Sequence, residues 1–584
     1  MKRKCFWALL FVFSYVVTSL AVQQVAWSAI DICVAPSGSD TEGDGSMEKP
    51  YRSLAYAVSK ASSGQTVGLF DGDYHEASIE VPPGVSVTSV SQDAGKVMIY
   101  PKSAYRRGTP FINFKSATLS TAGNQSLSYV TVDGAVGSTY TTRGILVRNR
   151  NDVRIHHCTI RNFMGGKGSG GIFIASTKIA VTDGLWWDFW PKDSGLLGDD
   201  SSIDAGVNKP WPTNPVERFE LDHCNIIRCG NGSNNGNDTA NRGSGCVNLY
   251  NVKDSTIHHN NLDNSDVDVY CIRGWAGCTA FLWNVDVYNN IMKMKQWPDR
   301  ASFIVETWLH RGGCEFYKNK FNGGLSITYG KETEIRNNVV IADPYIRDCW
   351  GKSPSLDTLG IEFTHQSYSN ASGNYIEGFT HACISSGVTN IARKDILHDI
   401  LIANNICVAP TRFGFTVSAV GSRAKVDGLK LYNNTIDGKG RINYSGIRLS
   451  ADSGGSLVNI EAVNNIVIGV GTYGGQTTTT EGGTYSSIRM SNNLFYKNKY
   501  NFWSGDSSVT GTLVQDPKFV SKIGSEGYQL QSNSPARNAG AHVSLSHDFG
   551  GYQSAIPSMG AWWGDEVDLR PPSPTNVQVE KGDK

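Results

Sequence analysis

The 584-residue sequence has no excess charge of either sign, since 53 Lys and Arg residues balance 53 Asp and Glu residues. A nucleic-acid-binding protein needs a basic surface to neutralise phosphates, so the balance argues against that class. Beyond the N-terminus, no apolar run is long enough to span a bilayer. The chain also lacks the 3.6-residue periodicity of helical repeats and the signatures of leucine-rich or Trp-Asp repeats.

The N-terminus reads MKRKCFWALLFVFSYVVTSLAVQQVAWSA, in which basic residues precede an apolar run from Cys5 to about Ala21. Small residues follow the run. This order is typical of a secretory signal peptide, with an uncleaved anchor as the alternative. We therefore predict that residues 1–28 are removed and that the mature protein is secreted, extracellular or periplasmic, and free of the membrane.

Cysteine is scarce, and loss of Cys5 would leave eleven of the 12 cysteines. Export permits disulfide bonds. The pairs Cys229/Cys246 and Cys271/Cys278 each bracket a short loop and are candidate bridges, although spacing alone does not fix the pairing. The odd number leaves at least one free thiol.

Asparagine, in contrast, recurs in pairs inside strand-like runs, as in IRNNVV, IANNIC, LYNNTI, AVNNIV and MSNNLF. Most intervals are near thirty residues, which indicates a solenoid, a propeller or an array. The repeated position falls at Asn260, Asn290, Asn319, Asn338, Asn374, Asn405, Asn434, Asn465 and Asn493, with Val130, Cys158 and Cys224 in the earlier units. The units contain only short runs with a period of two, so the pattern predicts an all-β parallel β-helix.

The asparagines have a physical role in such a coil. Asn tolerates the left-handed backbone of a corner. Asn amides stacked at about 4.8 Å can hydrogen-bond from one coil to the next. We therefore expect Asn405 and Asn434 to be buried, and Cys158 and Cys224 to be structural members of the same column.

The stretch DICVAPSGSDTEGDGSMEKPYRSLAYAVSKASSGQTVGLFDGDY resembles the N-terminal cap of secreted right-handed parallel β-helix proteins of the pectate-lyase-like superfamily. In that cap a strand, a Gly/Asp loop, a Pro and an amphipathic helix precede the first coil. Leu54, Ala55 and Val58 fit one face of that helix. The end, QDPKFVSKIGSEGYQLQSNSPARNAGA, resembles the last turns of the same group.

The resemblance implies a right-handed parallel β-helix over residues 29–565, with a capping strand and helix and long loops on one side. Residues 566–584 are polar and contain Pro, so we expect a linker or a disordered tail. The superfamily contains polysaccharide lyases, glycosidases, C5-epimerases and phage tailspikes. The resemblance therefore implies a partner polysaccharide, but it does not choose the chemistry.

Loops that interrupt the coils crowd residues 186–312. The largest, WWDFWPKDSGLLGDDSSIDAGVNKPWPTNPVER, carries four tryptophans among several Asp residues. Tryptophan faces stack on sugar rings, whereas a self-packed loop would use the same residues as a small core. The predicted substrate-binding tryptophans are Trp186, Trp187, Trp190 and Trp211.

Alignment of the strands that follow each corner predicts a row of outward polar side chains. Side chains alternate along a strand, and the row then contains Asn248, Asp268, Glu306, Ser326 and Glu362. Asp268 and Glu306 would lie on adjacent coils, about 5 Å apart, and Glu306 and Glu362 on the order of 9–10 Å apart. Glycosidases use paired carboxylates at about 5 Å for retention and roughly 6.5–9.5 Å for inversion. A solvated row of acids is the alternative.

A polysaccharide lyase or C5-epimerase needs a base and a group that neutralises a uronate carboxylate. Arg273 and His310 are the predicted candidates for these roles. Asp266 and Asp268 could bind calcium, so the cofactor prediction is none or calcium. Further predicted substrate contacts are Asn248, Tyr270, Trp308 and Arg311. The Asp-Asp and Gly-His-Gly blocks of polygalacturonases are missing.

The histidine pairs His156/His157 and His258/His259 flank two corners. We interpret them as structural, because no third zinc ligand recurs at a fixed spacing. The sequence as a whole predicts a secreted polysaccharide-active enzyme, with a glycoside hydrolase that uses Asp268, Glu306 and Glu362 as the first hypothesis. A lyase or epimerase is the second hypothesis, and a non-catalytic glycan-binding surface protein is the third.

Overall fold

A computed structural model of the chain describes residues 30–104, 109–164, 169–176, 214–230, 245–265, 272–274, 282–294, 303–342, 358–389, 396–504, 508–554 and 557–563. The predicted signal peptide, most of the tryptophan-rich loop and the predicted C-terminal tail lie outside these residues. None of the helical structure in the described residues is long and apolar enough to cross a membrane.

The N-terminal cap has the predicted order of elements. The first strand, Ile32–Val34, pairs in parallel with Thr66–Leu69. Between them lies the helix Leu54–Lys60, which buries Leu54, Ala57 and Val58 against the first coils. Ser53 caps this helix, and the buried Glu76 carboxylate accepts hydrogen bonds from the amides of Leu54 and Ala55. These acceptors satisfy amides that the first turn leaves unpaired.

The coils that follow form a parallel β-helix with three faces. On the first face, strands such as Phe303–Gly312 and Gly324–Lys331 pair in parallel. The second face stacks strands such as Leu282–Tyr288 and Cys314–Tyr317. Leu359–Ser372 runs through both faces, so the two belong to one 31-stranded sheet in the described chain. The third face is a separate sheet of 14 described strands. The predicted parallel β-helix is confirmed.

The strands of the first and second faces are Ile32–Val34, Thr66–Leu69, Ile79–Glu80, Ser86–Ser89, Pro110–Lys115, Thr121–Ser128, Arg143–Arg148, Arg150–His156, Gly170–Ala175, Val216–Glu217, Glu220–Asp222, Val247–Tyr250, Val252–His258, Ile272–Gly274, Leu282–Tyr288, Phe303–Gly312, Cys314–Tyr317, Gly324–Lys331, Thr333–Arg336, Leu359–Ser372, Ala382–Thr389, Ile396–Ala403, Phe413–Val420, Lys425–Asp427, Lys430–Tyr432, Ser445–Asp452, Ser456–Val463, Tyr473–Thr479, Thr484–Ser491, Tyr500–Ser504 and Ser508–Thr510. The strands of the third face are Gly72–Glu76, Val97–Pro101, Thr131–Asp133, Thr159–Arg161, Asn225–Ile227, Asn261–Asn264, Ile291–Met294, Lys320–Phe321, Val339–Ile341, Tyr375–Glu377, Ile406–Val408, Thr435–Ile442, Ile466–Val470 and Leu494–Tyr496. Ala135–Val136 and Thr139–Tyr140 form a small antiparallel hairpin.

The predicted asparagine ladder occupies the corner between the second and third faces. The Nδ2 atom of Asn405 donates to Oδ1 of Asn434 at 3.0 Å, and Asn434 donates in the same way to Asn465 at 3.0 Å. From Asn260 to Asn465, each backbone amide in the column donates to the same Oδ1 atom as the Nδ2 of its own side chain, as Asn405 N does to Asn434 at 3.0 Å. The ladder runs without a break through Asn260, Asn290, Asn319, Asn338, Asn374, Asn405, Asn434, Asn465 and Asn493.

The two asparagines of each pair have different roles at the corner. The first, such as Asn433, has a positive φ of 54°, and its side chain points away from the coil interior. The second, such as Asn434, is fully buried in the ladder. Asn therefore serves twice, because it tolerates the left-handed backbone and because its amide both donates and accepts.

The outward asparagines hold the C-terminal segment, which runs back along the third face. Asn404, Asn433 and Asn464 donate to the carbonyl oxygens of His547, Ser558 and Ala541 at 2.8 Å each. Apolar side chains of this segment, such as Tyr528 and Trp562, pack on the outer side of the third-face strands. After Leu513, which still pairs in parallel with Leu494, the chain thus covers a sheet face rather than extending the coil.

The predicted bridge between Cys229 and Cys246 is wrong, since both residues are buried and keep their thiol groups. They lie inside the coil, where their Sγ atoms are 3.7 and 3.6 Å from the carbonyl oxygens of Ile160 and Ile226. The structure instead joins Cys383 to Cys407, with Cα atoms 5.8 Å apart. Cys271 and Cys278 lie outside the described residues.

Replacement of Asn434 by Leu is expected to lower the free energy of unfolding by about 1–3 kcal/mol, because it strands buried polar partners. Those partners are the Asn405 amides, which donate to Asn434, and the Ile402 carbonyl, which accepts from it. Urea denaturation measures the loss. Asn443→Leu, at an exposed position, is the control, and an equal effect of both variants would contradict the ladder's role.

Candidate functional site

A row of outward-facing positions crosses the first face from coil to coil. The register pairs Asn248 with Arg273, and Arg273 with Glu306. It then pairs Glu306 with Ser326, and Ser326 with Glu362. The row continues into Ser385, Thr416 and Arg448. Glu306, Ser326 and Glu362 therefore occupy the consecutive positions that the strand alignment predicts.

The structure corrects one member of this row. Asp268 was expected beside Glu306, but Arg273 holds that register position in the strand Ile272–Gly274. The alternation in SDVDVYC fits a strand equally well, so sequence alignment selected residues too early in the coil. Asp268 itself, with Asp266 and Tyr270, lies outside the described residues, and the calcium hypothesis for Asp266 and Asp268 stays a prediction.

Glu362 is half-buried, and its surroundings favour the protonated carboxyl group. The Ser326 hydroxyl donates to Glu362 Oε2 at 2.6 Å. Burial raises the pKa of Glu362, the charge of Glu306 raises it further, and the Ser326 hydrogen bond opposes both effects. Thr328 and Thr364 extend the polar surface, with their hydroxyl oxygens 3.3 Å apart. An acid with a raised pKa can carry a proton to a reacting group.

His310 is not a catalytic base, which corrects that prediction. The strand Phe303–Gly312 continues from the first face round to the second, and His310 therefore lies inside the coil, with no exposed surface. Its ring nitrogens lie 3.0 Å from Thr333 Oγ1 and 2.9 Å from Thr307 Oγ1. Burial lowers the pKa of His310 to about 3, so the ring is neutral and structural.

Asn248 is also structural rather than a substrate contact. Its Nδ2 donates to the carbonyl oxygens of Ile172 and Gly245, and its Oδ1 accepts from the Gly245 amide at 2.9 Å. The side chain is fully buried. Next to it, the row's neighbours on the outer side are apolar and buried, including Phe173 and Tyr250. This end of the row is a packing surface.

Arg311 contributes to an aromatic platform that the sequence analysis missed. Its guanidinium lies 4.6 Å from the centre of the Trp283 ring, and Lys253 Nζ lies 4.5 Å from the same centre. The two cations come from the coils on either side of the strand Leu282–Tyr288. Trp283 is 38% exposed, which leaves aromatic surface open to a ligand. The sequence signal that could have predicted an outward-facing Trp283 is its place next to the apolar Leu282 in a strand with alternating side chains.

The remaining predicted contacts are only partly placed. Trp308 lies in the strand Phe303–Gly312, two residues after Glu306 and in register with Thr328. Trp186, Trp187, Trp190 and Trp211 lie outside the described residues. Their role in sugar binding stays a prediction.

A second polar cluster lies at the corner between the second and third faces, and we call it the histidine corner: His156, His157, Asp222, His223, His258 and His259. The rings of His157, His223 and His259 stack along the axis, with centroids 4.8 and 5.1 Å apart. Asp222 sits among them, fully buried. The segment LDHCNI places Asp222 and His223 between the two histidine pairs, a neighbourhood that the sequence analysis did not predict.

The charges at the histidine corner are strongly coupled. Burial of Asp222 acts to raise its pKa, but hydrogen bonds from Arg154 and His223 outweigh burial and bring it to about 2. Burial lowers the pKa of His156 to about 4, with help from the Arg154 charge. Burial is also the largest cause of the lowered pKa of His157 and of His259.

Comparison with known proteins gives a family match over part of the chain. Residues 36–185 match the family described as "Protein of unknown function (DUF1565)". A 43-residue stretch is 51% identical to the uncharacterized protein YwoF of Bacillus subtilis (strain 168). That match covers 7% of this chain and only 9% of the length of YwoF.

Three similar solved structures are β-helix proteins of different kinds. The A-module of the Azotobacter vinelandii mannuronan C-5 epimerase AlgE6 is 12% identical, with a TM-score of 0.35 over 80% of this chain and 94% of that one. PfbA, a surface adhesin of Streptococcus pneumoniae, is 12% identical, with a TM-score of 0.40 over 78% and 88%. Pectate lyase Pel9A is 12% identical, with a TM-score of 0.32 over 92% and 98%.

The predicted parallel β-helix fold rests on the parallel strand pairing of the described residues. The similar proteins are an epimerase module, a surface adhesin and a pectate lyase. At these identities and TM-scores they carry no conclusion on activity, substrate or partner.

Glu362→Gln is expected to stabilise the folded protein more at pH 8 than at pH 4. The folded-state pKa of Glu362 is raised, so its contribution to stability is present below the unfolded pKa and is lost as pH rises through the folded pKa. Gln has no such loss. Thermal unfolding at both pH values measures the difference. An equal shift in melting temperature at pH 4 and pH 8 would contradict the assigned environment.

Proposed function

We propose that the chain is a secreted enzyme that cleaves an extracellular polysaccharide by hydrolysis, with Glu306 and Glu362 as its catalytic carboxylates. The observation that carries the proposal is their register, two coils apart in one row with Ser326 between them. Two strand spacings place their Cα atoms about 9.5 Å apart. From Cα atoms at this separation, the two side chains can bring their carboxyl groups within the roughly 6.5–9.5 Å that inverting glycosidases use.

The environments of the two carboxyl groups suggest their roles. Glu362, with its raised pKa, would be the general acid that gives its proton to the glycosidic oxygen as the bond to the anomeric carbon breaks. Glu306 would be the general base that takes a proton from the attacking water, whose oxygen bonds to the anomeric carbon. The Ser326 hydroxyl engages Oε2 of Glu362, which leaves Oε1 to carry the proton. The retaining alternative loses its support, since Arg273 rather than Asp268 stands next to Glu306.

Sugar binding would extend to both sides of the acids. Trp308, in the same strand as Glu306, and the tryptophans at positions 186, 187, 190 and 211 are proposed to stack on sugar rings. Arg311 and Lys253 would orient Trp283 for the same purpose. Secretion, which the N-terminal sequence predicts, would place this surface in contact with extracellular glycans.

Glu306→Gln and Glu362→Gln should each lower turnover by about 10²–10⁴ on a substrate found in a polysaccharide panel, measured as new reducing ends. Gln keeps the shape and removes the acid–base function. Glu80→Gln is the matched control, because Glu80 is an exposed residue that pairs into the same first-face sheet near the N-terminus. Nuclear magnetic resonance of the first product should show an inverted anomer.

Full activity in both Gln variants would overturn the assignment of the acids. A retained anomer would overturn the inverting geometry but keep the hydrolase. Binding of a glycan without any cleavage would support the non-catalytic glycan-binding alternative.

One register observation supports a second candidate, a lyase or C5-epimerase that acts on a uronate polymer. Arg273 stands directly before Glu306 in the row, where a guanidinium is suited to a carboxylate-bearing sugar. A lyase would release an unsaturated sugar, whereas an epimerase would invert C5 of a sugar within the chain. Neither reaction adds water across the glycosidic bond.

The lyase candidate predicts that ultraviolet absorbance from unsaturated sugar appears together with new chain ends. It also predicts loss of activity in Arg273→Gln, with Arg448→Gln, further along the same row, as the control. If calcium assists at Asp266 and Asp268, a chelator abolishes the activity and added calcium restores it. New reducing ends without ultraviolet absorbance would rule out the lyase.

A further inference from the structure

The histidine corner lies at the turn from the second to the third face, on coils that precede the coil of Glu306. We propose that it binds one divalent transition-metal ion through His156, His157, Asp222 and His223. Imidazole nitrogen with one carboxylate oxygen is a donor set that suits zinc, copper(II) and nickel(II). The ion would be independent of the reaction at Glu306 and Glu362.

The donor atoms already converge. Single ligand atoms of His157, Asp222 and His223 all lie within 4.8 Å of one another. The Nδ1 atoms of His156 and His157 are 3.0 Å apart, and His223 Nδ1 is 2.8 Å from Asp222 Oδ2. In a tetrahedral zinc site with bonds of about 2.0–2.1 Å, neighbouring donors are roughly 3.3 Å apart. Small side-chain rotations would therefore suffice to close the site.

Other groups at the corner would orient these ligands. Arg154 donates from Nε to Asp222 Oδ1 at 2.8 Å and from a terminal nitrogen to Oδ2 at 2.9 Å. An ion at Oδ2 would leave the Nε hydrogen bond in place, so Arg154 would still hold the carboxylate. Such partners of metal ligands fix their geometry. Glu220, 3.4 Å from Arg154, offsets the arginine charge.

The same corner position is used differently elsewhere in the chain. At Asn404, Asn433 and Asn464, the outward side chain donates to the C-terminal segment that covers it. His223 and His259 hold the corresponding positions with the same left-handed backbone, yet both are exposed. Imidazole is therefore not needed for the turn or for holding a segment, and the exposed ring of His223 is accessible to an ion.

A second set of possible ligands overlaps the first. Glu220, Asp222 and His258 also have ligand atoms within 4.8 Å of one another. Because both sets need Asp222, we expect one ion per chain rather than two. His258 and His259, whose Nδ1 atoms are 2.8 Å apart, would then remain a hydrogen-bonded pair.

Zinc titration of the full-length secreted chain, with any affinity tag removed, tests the site by calorimetry in a buffer that does not bind metal. The wild type should bind one zinc ion per chain. The double variant His157→Asn/His223→Asn should bind at least about tenfold more weakly. Asn is the residue that this chain places at the same corner in later coils, so the backbone should be preserved. His75→Asn is the control, since His75 is exposed and stacks on Tyr100 outside the corner.

Two further measurements separate binding from folding. Without metal, the melting temperatures of the wild type and the double variant should be alike. Zinc should raise the melting temperature of the wild type and of the His75→Asn control, but not that of the double variant. Cobalt(II) should give the visible absorption of a nitrogen-ligated ion in the same two proteins. If the double variant melts early without metal, His223→Asn alone, at an exposed side chain, replaces it.

A folded wild type that binds no zinc would overturn the proposal, as would a variant that binds zinc as tightly as the wild type. Neither result depends on a glycan substrate, so failure here is distinguishable from failure of the proposed hydrolysis.

Discussion

The hydrogen bond from one buried asparagine amide to the next is the interaction on which this structure depends. A side chain such as Asn434 donates to Asn465 and to the Ile402 carbonyl while it accepts from Asn405. A slip of one residue would remove all of these partners and would turn each apolar face outward. The ladder therefore fixes the register of the coils, and every row of outward residues follows from that register.

The side chain of the corner residue before each ladder position takes no part in the ladder and can therefore make other contacts. It needs a left-handed backbone, which Asn and His both tolerate, and its side chain leaves the coil. In the later coils this side chain is Asn, which holds the C-terminal segment against the third face. In the earlier coils it is His157, His223 or His259, and the rings stack with one another instead. One backbone requirement thus supports a structural attachment at one end and a cluster of stacked histidine side chains at the other.

The periodic features could be predicted from the sequence because they repeat in every coil. The ladder and the order Glu306, Ser326, Glu362 each rest on several aligned units, whereas the cap was predicted from its resemblance to known β-helix caps. Features that occur once could not be predicted in the same way. Asp268 was placed beside Glu306 since SDVDVYC alternates like a strand, whereas the structure uses Ile272–Gly274. His310 was assigned to the surface because nothing in the sequence shows that its strand continues round a corner.

The carboxylates of the row are not a requirement of the fold. Two positions that follow Glu362 in the same row are Ser385 and Thr416, which pair in the same parallel register without charge. Glu362, in contrast, is half-buried near the charge of Glu306, and both effects disfavour its ionised form. A pair that lowers stability at neutral pH, where a serine would serve the coil as well, needs a reason outside folding. The proposed acid–base chemistry would supply that reason, because the environment that penalises the carboxylate is the one that keeps a proton available for transfer.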